Sequence, residues 1–148
     1  MAIETGAVAP RVAGVVGDDP RILVFFKVTC STTQLATPAI ERLATAYPGR
    51  VTGIGQDPRP ALDGFAAEYG LSLPLVADLD PFTASDDYGI VSAPTAIAIG
   101  ADGVVIDVAE SWDREAWNRL SASFAAAVGA EAAVVSDPGD GLPAFKPG

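Results

Sequence analysis

The stretch Arg21-Ile-Leu-Val-Phe-Phe-Lys-Val28 runs directly into Thr29-Cys-Ser-Thr-Thr33, and this junction decides the fold. Branched and aromatic residues dominate its first half, and nothing polar interrupts them before Lys27. That pattern is typical of a strand buried on both faces, within a parallel or mixed sheet. The short polar side chains of the second half suit the start of a helix. The junction therefore predicts a buried strand, then a helix, with Cys30 between them.

Outward from this junction, the apolar pattern predicts an α/β domain. A helical stripe follows the cysteine, with apolar residues at i, i+3, i+4, i+7, i+8 and i+11. Its members are Ala36, Ala39, Ile40, Leu43, Ala44 and Tyr47. The remaining segments are a strand at 51–55, a helix ending before Gly70, an extended piece at 73–77, a short helix within 80–88, strands at 95–99 and 104–108, and a helix from Asp113 to Val128. This order, early βαβ followed by ββα, predicts a central mixed sheet flanked by helices.

Composition excludes several classes of function. The chain has 148 residues, a net charge of −10, one cysteine and no histidine. The negative charge argues against nucleic acid and anionic membranes as partners. Without histidine there is no Ser-His-Asp triad, no Cys-His pair and no common zinc site. We expect no cofactor and no metal, because the acidic stretch 78–87 lacks the glycine and glutamate of a calcium-binding loop.

The two ends of the chain suggest a compartment and a domain boundary. Residues 1–10 lack a basic start followed by an apolar stretch, so we expect no secretory signal and a cytoplasmic location. A lone cysteine cannot form an internal disulfide, which agrees with a reducing compartment. We predict one domain over residues 1–128 and a tail over 129–148, rich in Gly, Pro and Asp. Leu142 and Phe145 in that tail either pack on the domain or dock on another subunit.

Cys30 is the residue most suited to chemistry. A thiol at the start of a helix faces free backbone N–H groups and the positive end of the helix dipole, which favour the thiolate. The hydroxyls of Ser31 and Thr33 could add hydrogen bonds, and Lys27 could add a positive charge. The alternative is that Cys30 is a small buried apolar residue. The strand-to-helix placement alone does not separate the two interpretations.

Two segments resemble the thioredoxin superfamily, in its TlpA-like and peroxiredoxin-like (redoxin) branch. Cys30 and Pro38 keep the family's spacing between the first cysteine and the helix proline. Tyr88-Gly-Ile-Val-Ser-Ala-Pro-Thr95, with the apolar strand after it, resembles the family's cis-proline loop. The Gly6-to-Pro10 opening is also similar. The resemblance spans roughly residues 6–128 and implies a thioredoxin-like fold.

The resemblance also implies the layout of a site. Cys30 would be the nucleophile, and Thr33 would steady its thiolate. A cis proline at Pro94 would face the helix start across a groove. The residues expected to meet the substrate are Thr29, Ser31, Thr32, Ala93, Pro94 and Thr95.

Departures from the family pattern limit what the chain can do. Thr33 replaces the second cysteine of C-x-x-C, Thr29 replaces the usual tryptophan, and Val24 lies where a buried acid is often found. Without a second thiol, an adduct on Cys30 must be released by an outside thiol. The peroxiredoxin motif P-x-x-x-T-x-x-C is also absent, since Leu23 and Lys27 occupy its first two fixed positions.

Three functions remain open from the sequence. The first is a single-thiol redox protein that acts on a protein carrying thiols or disulfides, or on a small thiol. The second is a binding module that has abandoned redox chemistry. The third is a one-cysteine peroxidase. The sequence does not fix the oligomeric state.

Overall fold

Strand β1, Arg21–Phe26, lies at the centre of a five-stranded sheet, as its uninterrupted apolar run predicts. The computed structural model describes residues 1–148. The other elements, in chain order, are α1 Ser31–Ala46, β2 Val51–Gly55, α2 Arg59–Tyr69, β3 Leu75–Ala77, α3 Thr83–Asp87, β4 Thr95–Ile99, β5 Val105–Glu110, β6 Trp112–Asp113, α4 Arg114–Val128 and β7 Phe145–Lys146.

The sheet is mixed and has the order β3-β2-β1-β4-β5. Strands β1, β2 and β3 run parallel through helical crossovers, whereas β4 and β5 are antiparallel to their neighbours. A central mixed sheet flanked by helices is what the order of elements predicts, and the whole has the thioredoxin-like α/β fold that the resemblance implies. The C-terminal ends of the parallel strands meet at one edge, where β1 continues into the Cys30 loop.

Side chains of β1 alternate between two apolar layers. Ile22, Val24 and Phe26 join a large cluster with α1, α2 and α4, while Leu23 and Phe25 join a smaller cluster on the other face. Residues 22–25 are at most 1% exposed. Burial on both faces explains why this strand has no polar–apolar alternation.

Local capping agrees with the sequence at α4 and adds detail at α3. The Asp113 carboxylate accepts a hydrogen bond from Ala116 N–H and caps α4, which ends at Gly129 in the left-handed region. Asp78, from the acidic stretch, accepts bonds from the backbone N–H groups of Ala84 and Ser85. Because these N–H groups lie in the first turn of α3, the Asp78 carboxylate caps that helix. Asp78 is only 7% exposed.

Residues 129–148 form a strap that packs back on the domain. Val135 and Ser136 are buried, and the carboxylate of Asp140 contacts Arg42 and Arg114. The strap ends in β7, which pairs antiparallel with β6. Within this strap Leu142 packs against the large cluster, whereas Phe145 stays 58% exposed.

The two tryptophans are core residues. Trp112 and Trp117 are fully buried with ring centroids 5.7 Å apart. The indole N–H of Trp112 donates to the Pro143 carbonyl, so the core also holds the strap. No helix has both the length and the apolar character needed to cross a membrane.

Candidate active site around Cys30

The path of the chain from β1 into α1 fixes the position of Cys30. Phe26 ends the buried strand, and the loop is held by Asp57, whose carboxylate accepts from Val28 N–H at 2.9 Å. Gln34 donates its side-chain N–H to the Val28 carbonyl at 2.9 Å, closing the loop onto the first turn of α1. Cys30 is the N-cap residue of α1, in extended conformation, and its side chain is partly exposed.

Opposing effects act on the thiol of Cys30. Burial raises its pKa, but hydrogen bonds from the backbone N–H and hydroxyl of Thr33, followed by those of Thr32, lower it. The hydrogen bonds win, and the pKa lies below the ordinary value of a cysteine. This is expected at a helix start, where the first N–H groups have no partner within the helix. Lys27 is not among the causes of the shift.

The hydroxyls of Thr32 and Thr33 differ in availability. The Thr32 hydroxyl donates to the Pro147 carbonyl at 2.6 Å. A hydroxyl has one hydrogen to donate, so Thr32 can serve a Cys30 thiolate only after leaving Pro147. The Thr33 hydroxyl is fully buried and has no hydrogen-bond partner other than the Cys30 thiolate. We therefore regard Thr33, with the backbone N–H groups, as the main support of the thiolate.

The loop before β4 faces Cys30 from the other side of a groove. The Cys30 thiol donates to the Ala93 carbonyl, with Sγ and O 3.5 Å apart. The Ala93–Pro94 peptide bond is cis, and the Pro94 side chain is buried. Thr95 is also buried, and its hydroxyl donates to the Ser92 carbonyl within the same loop at 2.8 Å. The loop thus presents backbone rather than side chains to the thiol.

A cavity of about 260 Å³ opens beside the thiol. It lies between the end of β1 and the 90–93 loop, and most of its exposed lining is apolar. Lys27 is the only cationic residue in that lining. The residues around the cavity are Phe25, Phe26, Lys27, Cys30, Gln56, Ser85, Ile90, Val91, Ser92, Ala93 and Gly148.

The structure brings together part of the predicted set of site residues. Cys30, Thr32, Thr33 and Ala93 lie together, and Pro94 shapes the loop behind Ala93. Ser31 is different: its hydroxyl accepts from the Lys146 ammonium at 3.1 Å, and Ser31 is not among the residues whose hydrogen bonds lower the Cys30 pKa.

Thr29 and Thr95 do not line the cavity. Thr29 is exposed on the loop, and the Thr95 hydroxyl donates to the Ser92 carbonyl. Their predicted contact with substrate stays a prediction.

Sequence reasoning missed three residues of the site, Lys146, Pro147 and Gly148. They reach Ser31, Thr32 and Ala93 from more than 50 positions away in the chain. A Cβ at Gly148 would lie 1.7 Å from the Ala93 carbonyl oxygen, so only glycine fits there. The Pro-Gly pair is an ordinary turn signal, and nothing in its sequence points to Cys30.

Comparisons with known proteins agree with this geometry. No protein-family model and no curated protein sequence matches the chain. Among solved structures, a Chlorobium tepidum protein assigned as a thiol:disulfide interchange protein DsbE is 19% identical. That match covers 86% of this chain and 99% of the other, with a TM-score of 0.71.

Two further structures represent other members of the fold. DsbF of Mycobacterium tuberculosis, solved in mixed oxidized and reduced forms, is 25% identical over 72% of this chain and 78% of its own, with a TM-score of 0.58. The bacterioferritin comigratory protein of Xanthomonas campestris, described for alkyl peroxide reduction, is 14% identical over 74% and 80%, with a TM-score of 0.54. The chain therefore has the thioredoxin-like fold shared by DsbE-type and redoxin structures, and it carries a single cysteine, Cys30, at the start of α1.

Proposed function

We propose that this protein is a single-thiol disulfide-exchange protein with Cys30 as nucleophile. The Cys30 thiolate attacks one sulfur of a substrate disulfide, the S–S bond breaks, and the second sulfur leaves as a thiolate that takes a proton from solvent. Cys30 then carries a mixed disulfide. An external thiol attacks that disulfide, forms a new disulfide with the substrate sulfur, and returns Cys30 to the thiolate.

The observation that carries the proposal is the setting of the sulfur. Cys30 is partly exposed beside a cavity, and unpaired donors of the first turn of α1 converge on it. A structural cysteine would instead be buried among apolar side chains with a raised pKa. The likeness of fold to a thiol:disulfide interchange protein is consistent with this chemistry. Thr33 cannot resolve the adduct, so the external thiol is part of the proposal.

A peroxidase has less support from the site. Peroxide reduction needs donors that stabilise the leaving oxygen as the O–O bond breaks. Lys27 is the only cation around the cavity, and it is exposed. The likeness to a peroxide-reducing protein is a likeness of fold at 14% identity. A binding module is the remaining alternative, and it requires no reactivity of Cys30.

The proposal is tested by the pH dependence of Cys30 alkylation with iodoacetamide. We expect a midpoint clearly below the unperturbed pKa of about 8.5. An ordinary or raised midpoint would remove the proposal and leave the binding module. Mass spectrometry of protein purified from its host without reductant is the second measurement. We expect a thiol adduct on Cys30, whereas a sulfinic acid would favour the peroxidase.

A further inference from the structure

Residues 145–148 cover one side of the groove at Cys30. We call them the covering segment. The Lys146 ammonium donates to the Ser31 hydroxyl, and the Pro147 carbonyl accepts from Thr32 at 2.6 Å. Its end is in close contact with Ala93, because a Cβ at Gly148 would overlap the Ala93 carbonyl. The covering segment thus bridges the start of α1 and the loop before β4.

A second anchor comes from the bend after β5. The Gly148 N–H donates to the Ser111 hydroxyl at 3.2 Å, and β7 pairs with β6 just before it. The covering segment is therefore held along its backbone by strand pairing and by side-chain hydroxyls. An extended peptide binds by the same kind of backbone contact with an exposed edge or loop. Such a peptide cannot lie against Ala93 while Gly148 is there.

The cavity beside the sulfur stays accessible, with Gly148 of the covering segment as part of its lining. At about 260 Å³ it falls just below the range of roughly 300–1,000 Å³ typical of pockets for drug-sized ligands. Its lining is mainly apolar, from Phe25, Phe26 and Ile90 among others. The buried hydroxyl of Thr33, without a partner, marks the helix side of the thiol as a place where a negative sulfur is expected.

These contacts point to a substrate class. We infer that the covering segment excludes extended polypeptide from Cys30 and that the substrate is a low-molecular-weight disulfide, which reaches the sulfur through the cavity. This inference rests on the proposed function and goes further, because disulfide exchange by itself would allow protein substrates. The covering segment is then a specificity determinant. The external thiol that releases the adduct enters by the same route.

The first experiment compares two disulfides on the intact protein. The probes are 2-hydroxyethyl disulfide and a ten-residue unstructured peptide with one cysteine joined to 2-mercaptoethanol. Formation of the Cys30 adduct is followed by mass spectrometry, and each rate is divided by that of free cysteine under the same conditions. We expect the small disulfide to be favoured by about thirtyfold, because the Thr32–Pro147 and Gly148–Ser111 hydrogen bonds must open to admit the peptide.

Two glycine variants then test the covering segment itself. Gly148→Ala adds a methyl group that overlaps the Ala93 carbonyl and so displaces the segment. Gly139→Ala is the matched control, since its Cβ would meet nothing within 4 Å. We expect Gly148→Ala to raise the ratio of the peptide rate to the small-disulfide rate by about thirtyfold, the effect of losing the Thr32–Pro147 and Gly148–Ser111 hydrogen bonds. Gly139→Ala leaves both rates unchanged.

The outcomes separate the two proposals. If Cys30 reacts with both probes no faster than free cysteine, the proposed function fails. If it reacts readily but shows no preference for the small disulfide, the function stands and the inference about the substrate is wrong. A clear preference that Gly148→Ala leaves unchanged would also overturn the inference, because the covering segment would then not be the barrier.

Discussion

The cavity beside Cys30 and the covering segment, residues 145–148, differ in how they control access to the sulfur. The sulfur borders a cavity lined mainly by residues at the end of β1 and in the 90–93 loop. The covering segment borders the same cavity through Gly148, and backbone atoms of Pro147 and Gly148 contact Thr32 and Ala93. Neighbouring residues at the start of α1 thus make the Cys30 thiol reactive. In the inference above, the covering segment, distant in the chain, restricts which substrates reach it.

The largest expected effect comes from Cys30→Ser, which removes the thiol that both the cavity and the covering segment border. A hydroxyl at this position is far less acidic than a thiol and forms no disulfide. We expect complete loss of adduct formation and alkylation, with folding intact. Ser31→Ala is the control, because the Ser31 hydroxyl bonds Lys146 rather than the thiol. Any adduct that persists in Cys30→Ser would show that the redox reading is mistaken.

Thr33→Val tests how far the Thr33 hydroxyl, at the start of α1, lowers the pKa of Cys30. The change removes a buried hydroxyl that has no other partner and keeps the side-chain shape. We expect the Cys30 pKa to rise by about one unit, equal to one hydrogen bond of about 1.4 kcal/mol, and alkylation at pH 7 to slow about tenfold. Thr37→Val, a buried threonine further along α1, is the control. Equal rates in the two variants would contradict the role given to Thr33.

Asp140→Ala tests how the covering segment is held in place, because Asp140 anchors the strap to which that segment belongs. The Leu142 N–H, the Ser136 hydroxyl and the guanidinium of Arg42 all donate to this carboxylate and hold its pKa well below its usual range. We expect amide hydrogen exchange over residues 133–148 to speed up about fivefold or more, as charge-assisted hydrogen bonds are lost. Asp137→Ala, at an exposed position, serves as the control.

The same carboxylate predicts a pH dependence. Because its pKa is lower in the folded chain than in the unfolded one, Asp140 stabilises the folded chain fully above the ordinary carboxyl value of about 3.9. That stabilisation is lost as the pH falls below this value towards the depressed pKa. We expect the exchange rate of the strap amides, divided by that of an unstructured peptide at the same pH, to increase between about pH 4 and pH 2 in the natural protein, but much less in Asp140→Ala. A parallel increase in both would show that another group holds the strap.

Lys27→Gln has the smallest expected effect and concerns the cavity, which Lys27 helps to line. The ammonium is exposed and does not contribute to the Cys30 pKa shift. We expect alkylation of Cys30 to change by less than about twofold, the scale of an exposed charge interaction. A tenfold fall would mean that Lys27 turns towards the thiolate and that charge, rather than hydrogen bonding, activates it.

Much of the fold follows from local sequence patterns. The buried run of β1, the stripe of α1 and the Asp113 cap of α4 appear in the structure as the sequence predicts. Strand β5 is an exception in its bounds, since it continues to Glu110 rather than ending at Val108. Those last residues are held by pairing with Thr95 and Ala96 of β4, so the partner strand, rather than their own pattern, keeps them extended.

The site divides in the same way. The sequence alone determined that Cys30 lies at a helix start, because capping and strand burial depend on neighbouring residues. Only the tertiary structure decided which hydroxyls are free. The Thr32 hydroxyl donates to Pro147, the Ser31 hydroxyl accepts from Lys146, and the Thr33 hydroxyl has no partner besides the Cys30 thiolate. The physical reason is that hydrogen bonds across more than 100 residues depend on how the strap packs, which no local pattern encodes.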